Sequence, residues 1–310
     1  MRLQRKIISF GNGEIACMKK YDYQKVDAFT SNNSLGNPAA CIYLKYGQVL
    51  SEDEKLSIAK QHKGFVSEVV FCIEKSDSDF DLVYYSSECE VPFCGHGTIA
   101  CIYSLIKDSP ELLRRPEINI HTRTKGSLVV YNKIAEQDAV YISAPEPVHL
   151  NVPVSLESIV DNLGVCKSMI SDDYSVDFID AGNKTLIIPI KNLEDEINLF
   201  PSEQTLKEFS LNNDIDVILI FCMCVKDKTH FAHTRVFAAK YGYLEDSATG
   251  SANSAFGYYL LKNNMWDGAP ITLEQGGVDR IFNTINLSYE NDRVLFGGKA
   301  TVRIKGIYYI

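Results

Sequence analysis

The sequence predicts an α+β protein of two pseudo-symmetric domains, each a curled, mostly antiparallel sheet or barrel around a central apolar helix. Three observations carry this prediction. Strand-like segments far outnumber helical ones. Two helical segments are apolar on every side. The segments around those two helices recur in the same order.

The first apolar helix follows Pro92-Phe93-Cys94-Gly95-His96-Gly97. Proline and two glycines break regular structure, so a glycine loop is expected there. From Thr98 onward, Ile99, Ala100, Cys101, Ile102, Leu105 and Ile106 point in all directions around a helix. A helix apolar all round is buried. Its first turn presents free N–H groups and the positive end of the helix dipole, a ready site for a carboxylate or phosphate. The second copy runs from Gly242 to Lys262. With Cys94-Gly95 set on Thr249-Gly250, Ala100 meets Ala255, Tyr103 meets Tyr258, Leu105 meets Leu260 and Lys107 meets Lys262. Upstream, Gly36-Asn37-Pro38 and Gly182-Asn183-Lys184 each precede an apolar run. Two motifs repeated in one order point to a duplication. The two glycine-loop helix starts are then expected to face each other across a bound anion.

Taken in order, Tyr23 to Phe29 and Ala39 to Lys45 read as strands. Ser51-Glu52-Asp53-Glu54 is a capping box that starts a surface helix. Ser67 to Glu74 and Leu82 to Ser86 are strands before the first apolar helix, and Ile118 to Thr122, Ser127 to Tyr131 and Ala139 to Ser143 are strands after it. Pro145-Glu146-Pro147 is the best linker, because neither proline continues a sheet ladder. In the second half, Ser155 caps a helix ending near Gly164 and Ser202 caps another through Leu206 and Phe209. Ser175 to Ile179, Thr185 to Ile190, Asp216 to Val225 and Phe231 to Ala238 are strands. So are Ile271 to Glu274, Arg280 to Tyr289, Val294 to Gly297 and Thr301 to Tyr309. The domain plan is 18–147, then 148–298, with a cleft between them. Residues 1–17 look unlike the rest and form an extension ahead of a natural start at Met18.

Length and composition fit two globular cores: 310 residues, 45% hydrophobic and 23% charged. A net charge of −9 without a basic stripe disfavours nucleic-acid or anionic-membrane partners. The longest apolar run, Val217 to Val225, is roughly half of the ~20 residues that span a bilayer. The 9 cysteines are scattered among apolar neighbours, as expected of reduced thiols in a cytoplasm. Cys222-Met223-Cys224 reads as strand core, with no second pair to complete a zinc site. His230 and His233 fall on opposite strand faces, which argues against a shared metal.

Glu68 stands among apolar residues on a predicted strand. Burial disfavours a carboxylate's charged form, which suits a group that takes and returns a proton. A half-exposed strand glutamate is the plainer reading of the same pattern. Asp246 and His96 lie beside the two glycine loops and read equally as loop or hydrogen-bonding residues. Cys94 would gain thiolate character from the helix start, and Ser251 offers a hydroxyl at the other.

Together these pieces resemble the PhzF family of phenazine-biosynthesis-type isomerases, whose fold is similar to diaminopimelate epimerase. The matching segments are Asp27-Ala28-Phe29-Thr30, Gly36-Asn37-Pro38-Ala39, Ser67-Glu68, Pro92-Phe93-Cys94-Gly95-His96 and Glu245 to Ala252. They run in family order from about residue 22 to the C-terminus; the last two are the specific ones. The resemblance implies a catalytic glutamate at Glu68, a supporting histidine at His96, an aspartate at Asp246 and a hydroxyl at Ser251. It implies a site in the interdomain cleft; there Asn37 and the two glycine-loop helix starts, with Cys94, Gly95, Gly97, Thr249, Gly250 and Ser251, are expected to bind a small carboxylate. It also implies no metal or organic cofactor, usually a homodimer, and a last strand, 299–310, that returns to the first domain. Ser247 departs from the common proline. Cys94-Gly95-His96-Gly97-Thr98 is also similar to the first cysteine loop of proline racemases. Those enzymes use two opposed thiols, and Thr249 at the second position cannot act as one. The expected activity is therefore isomerase or epimerase chemistry on one carboxylate; an amino- or hydroxy-acid racemase or lyase, or a non-catalytic binding protein on the same fold, is the alternative.

Overall fold

The computed structural model describes residues 18–277 and 279–310. The proposed extension, residues 1–17, lies outside them. The first half contains β1 (Lys20–Ala28), β2 (Asn37–Leu44), α1 (Glu52–Gln61), β3 (Glu68–Ser76), β4 (Asp79–Tyr85) and β5 (Glu90–Val91). After these come α2 (Gly95–Asp108), α3 (Pro110–Leu113), β6 (Glu117–Thr122), β7 (Gly126–Lys133), α4 (Ile134–Gln137) and β8 (Ala139–Ser143). The second half contains β9 (Val148–Leu150), α5 (Leu156–Leu163), β10 (Asp177–Asp180), β11 (Lys184–Pro189), α6 (Leu193–Ile197), α7 (Glu203–Asn212), β12 (Val217–Cys222) and β13 (Ala232–Phe237). It ends with β14 (Glu245–Asp246), α8 (Gly250–Lys262), β15 (Ile271–Gln275), β16 (Asn283–Glu290) and β17 (Arg293–Gly298), after which β18 (Ala300–Tyr309) returns to the first half and pairs with β1.

Strand pairing repeats between the halves. β2 runs parallel to β3 as β11 does to β12, and β4 runs parallel to β6 as β13 does to β15. The remaining pairs in each half are antiparallel. β8 and β17 hold equivalent places and pair with each other, Leu295 opposite Ser143, so the two halves are stitched at their matching edges. The result is one continuous curled sheet. Its end strands, β18 on β1 and β9 on β10, do not meet, so the sheet stays unclosed rather than forming barrels.

The two apolar helices fill the concave side. Ile99, Ala100 and Ile102 of α2 share one core with Ala252, Ala255 and Phe256 of α8. The outer face of the first half is covered by α1 and that of the second by α5 and α7, each over its own smaller cluster. The predicted caps are formed. Ser51 accepts from Glu54 N while the Glu54 side chain returns to Ser51 N, and Ser155 and Ser202 cap α5 and α7. Gly164 closes α5 at φ 66°, a left-handed turn that glycine adopts at low cost.

Several expectations change. Cys94, not a following loop, caps α2, so Gly95-His96-Gly97 is already its first turn. Phe29 leaves β1 at φ 61°, and the Arg280 turn at φ 54° delays β16 to Asn283. β12 ends at Cys222, and Cys224 is exposed; the chain turns away there because Lys226 and Asp227 donate their amides to Glu274. Only Cys222 of that trio is core. Among the described residues, no helix is long and apolar enough to cross a membrane.

Candidate active site

The site begins with a packing constraint. Gly97 lies in the first turn of α2, and a Cβ there would come within 2.8 Å of Val70 on β3. Without that carbon the helix start sits directly on the strand. Glu68 is two residues before Val70 and shares its strand face. Close approach therefore carries its carboxylate to the helix start, where Glu68 Oε2 lies 3.1 Å from His96 Nε2. Both side chains are nearly covered, at 15% and 11% exposure.

Cys94 lies in the same cluster. Its sulfur accepts the Gly97 amide at 3.3 Å and stands 3.5 Å from His96 Nδ1 and 3.8 Å from Glu68 Oε2. Burial pushes this thiol above its ordinary value, more than the neighbouring imidazole and the helix amide pull it down. Burial also opposes charge on His96, but the Cys94 sulfur and the Glu68 carboxylate outweigh it and hold the imidazole well above its ordinary value. Thr98 locks the cap by donating to the Cys94 carbonyl at 2.8 Å, and its hydroxyl meets the buried Tyr84 phenol at 2.7 Å.

The second helix start has matching backbone and different chemistry. Cys94 has φ −133° and ψ 108°; Thr249, the cap of α8, has φ −124° and ψ 100°. Thr249 does not cap with its side chain. Its hydroxyl donates instead to Asp246 Oδ2 at 2.6 Å. Asp246 Oδ1 accepts from Asn37 Nδ2 at 2.7 Å, so the aspartate of the second half is held by an asparagine of the first. Burial raises the Asp246 carboxyl above its ordinary value, and the Glu68 charge adds to this, while His96, Thr249 and Asn37 act against it. Ser251 Oγ accepts from Asn183 Nδ2 at 2.9 Å. It lies within the first turn of α8 and is not the cap.

Both helix starts meet the same side chain. A Cβ on Gly95 would stand 3.3 Å from the Phe296 ring of β17, and one on Gly250 would stand 2.3 Å from it. Gly95 and Gly250 thus allow the two halves to close on one phenyl group. Gly36 completes the junction. At φ 72°, with no room for a Cβ, it donates its amide to Asn283 Oδ1 at 2.8 Å and accepts Ser247 Oγ at 3.1 Å.

Glu68, Cys94 and His96 form one cluster, and Asn37, Asp246 and Thr249 form another, close enough for Glu68 and His96 to influence Asp246. Four contributors escaped sequence reasoning. Gln275 takes the Thr249 amide at 2.9 Å and donates to the Asp246 carbonyl at 2.8 Å. Asn183 holds Ser251, and Phe296 separates the helix starts. Tyr243 is 39% exposed as a residue, while its phenol end is the covered part and is pushed up by that burial and by the Asp246 and Glu68 carboxylates. Only Asn183 left a signal, as the repeat partner of Asn37. A depression of about 500 Å³ lined by Tyr174, Tyr259 and Met265 shares none of these residues.

A duplicated, unclosed sheet around two buried helices is an epimerase-like α+β fold. The sequence profile of the PhzC-PhzF family, phenazine biosynthesis-like proteins, matches residues 26–306, and the chain belongs to that family. An uncharacterized isomerase of Clostridium acetobutylicum is 26% identical over 80% of this chain and 82% of its own length. Another from Bacillus subtilis is 27% identical over 84% and 87%. A PhzF-family crystal structure from Bacillus anthracis superposes with a TM-score of 0.80 at 23% identity, covering 94% of this chain and all of that one. A hydroxyproline epimerase from Agrobacterium vitis shares the fold at a TM-score of 0.57 and 11% identity, covering 94% and 91%.

Proposed function

We propose that the protein is a cofactor-independent isomerase or epimerase that moves a proton on a small carboxylate, with Glu68 as acid and base. The observation that carries this reading is the 3.1 Å contact between Glu68 and His96 at a helix start facing Asp246. Glu68 takes a proton from carbon. Protonated His96 beside it stabilises negative charge that develops on the substrate. The same glutamate then returns the proton to another carbon or to the other face. The substrate carboxylate binds at the start of α8. Its cap side chain is turned away toward Asp246, which leaves first-turn amides for an anion. Ser251, in the same first turn, adds a hydroxyl beside it.

The isomerase names of the relatives support the reaction class. A two-thiol racemase finds less support, because Thr249 occupies the second cysteine's place and its hydroxyl is committed to Asp246. The family resemblance extends the proposal to a homodimer, and the reduced thiols to a cytoplasmic setting.

The test is solvent deuterium exchange into candidate amino and hydroxy acids, with wild-type protein and Glu68→Gln. Loss of one general acid–base group should slow exchange by about 10²–10⁴-fold while leaving the melting temperature near that of wild type. Exchange that persists in Glu68→Gln and vanishes in Cys94→Ser would transfer the role to the thiol. Binding without exchange in wild type would make the chain a binding protein.

A further inference from the structure

We propose that Glu196, Cys222 and His233 form a binding site for a thiophilic divalent cation of the zinc type, built into the second half and separate from Glu68, His96 and Asp246. Cys222 closes β12, and His233 lies directly opposite it on β13. Cross-strand partners project to one side of a sheet about 5 Å apart. That side is the outer one. The next residue, Thr234, points the other way and bonds Asn253 of α8. Glu196 comes down from α6 onto the Cys222–His233 pair. One donor atom from each of the three residues lies within 4.8 Å of the others.

The donors are buried; the Cys222 thiol donates to the Cys224 carbonyl, and the carboxylate and imidazole are unused. Glu196 and His233 are 0% exposed, and Cys222 is 1% exposed. Among the described residues, both carboxylate oxygens of Glu196 and both ring nitrogens of His233 lack a hydrogen-bond partner. His233 Nδ1 and Glu196 Oε2 are 3.0 Å apart yet not aligned as donor and acceptor. Buried polar groups are almost always paired, because an unpaired one loses its hydration for nothing. Four such atoms in one place, near each other but not aimed at each other, fit convergence on a cation. The Glu68, Cys94 and His96 group has the same residue types but differs here, since among the described residues none of its buried side-chain nitrogen or oxygen atoms is left without a partner.

The donor set selects the ion. Thiolate, imidazole and carboxylate together suit zinc, whereas magnesium and calcium take oxygen ligands. Zinc–ligand lengths of about 2.0–2.3 Å put tetrahedral donors about 3–4 Å apart, a small contraction from the present arrangement. On binding, the Cys222 thiol would release its proton to solvent and form a sulfur–metal bond, with no change of oxidation state. The Cys224 carbonyl, 3.1 Å from that sulfur, is an oxygen donor at hand for a fourth position. An outer layer already holds the ligands. Arg235 donates to the carbonyls of Glu196 at 2.7 Å and Leu199 at 2.6 Å, fixing the end of α6. The Phe282 ring lies 4.4 Å from the His233 ring. A bound ion would tie α6 to two strands and would take no part in the proton chemistry.

The experiment uses the full chain stripped with a chelator, then titrated with zinc or cobalt(II). The expected result is about one metal per chain, a thiolate-to-cobalt charge-transfer absorption and a raised melting temperature. Cys222→Ser and Glu196→Gln should each reduce bound metal at least about tenfold, and Cys94→Ser should leave it unchanged. Absence of the charge-transfer band in wild-type cobalt protein would overturn the proposal without any variant. So would a band abolished by Cys94→Ser and kept in Cys222→Ser. If Cys222→Ser does not fold, Glu196→Gln, which preserves size and the α6 backbone, decides in its place.

Discussion

His96 shows how one residue's surroundings set its working range. Its imidazole is held well above the ordinary 6.5 by Cys94 and Glu68 despite burial. A raised folded-state value means that the interaction stabilises the protein fully below pH 6.5. The stabilisation is lost as pH rises through the folded-state value. Melting temperatures of wild type should therefore fall relative to His96→Gln on the alkaline side, with no such divergence below pH 6.5. Activity should follow, with an alkaline limb above neutrality that disappears in His96→Gln, measured as kcat/KM against pH. Glu68, His96 and Asp246 were legible in the sequence because each sits in a short contiguous motif. Tyr243 and Gln275 were not, because their part depends on strands and loops that meet only after folding.

At the level of elements, the Gly97 contact joins α2 to β3. Gly97→Ala should put a methyl group into Val70 and cost about 1–3 kcal/mol, read from chemical denaturation. It should also reduce activity, by moving the helix start away from Glu68. Val70→Ala in the same chain should recover part of both losses by opening that space. If Gly97→Ala leaves stability and activity unchanged, the close approach does not set the site. Strands with strong alternation and helices with serine caps were readable nearly to the residue. Two errors fell where the backbone takes a positive φ at a residue other than glycine, at Phe29 and Arg280, because side-chain pattern carries no sign of it. The short helices α3, α4 and α6 also escaped, since four or five residues hold too little periodicity.

Across the whole molecule, Phe296 is the shared wall between the two helix starts, 2% exposed against Gly95 and Gly250. Phe296→Ala should cost about 3–5 kcal/mol through the cavity it leaves. Phe296→Leu should keep the fold but lower kcat more than it weakens substrate binding, because the helix starts would lose their fixed separation. Steady-state kinetics of the leucine variant distinguish this from a general loss of stability. The duplication was visible in the sequence only at its two helix motifs. Its full extent, every strand of one half matched in the other, lies in pairings between residues far apart in the chain.

The unequal caps, sulfur with an imidazole at one helix start and a committed hydroxyl at the other, make a lopsided chamber from a balanced frame. A flat, resonance-stabilised intermediate held there would meet its single proton carrier from one side only. In a shift between two carbons, hydrogen would then depart and re-enter suprafacially, and a substrate labelled at the first carbon should hand part of its deuterium to product within the same turnover; inversion at one carbon would require the intermediate to turn over first. An enzyme with opposed thiols would instead wash that isotope out to water.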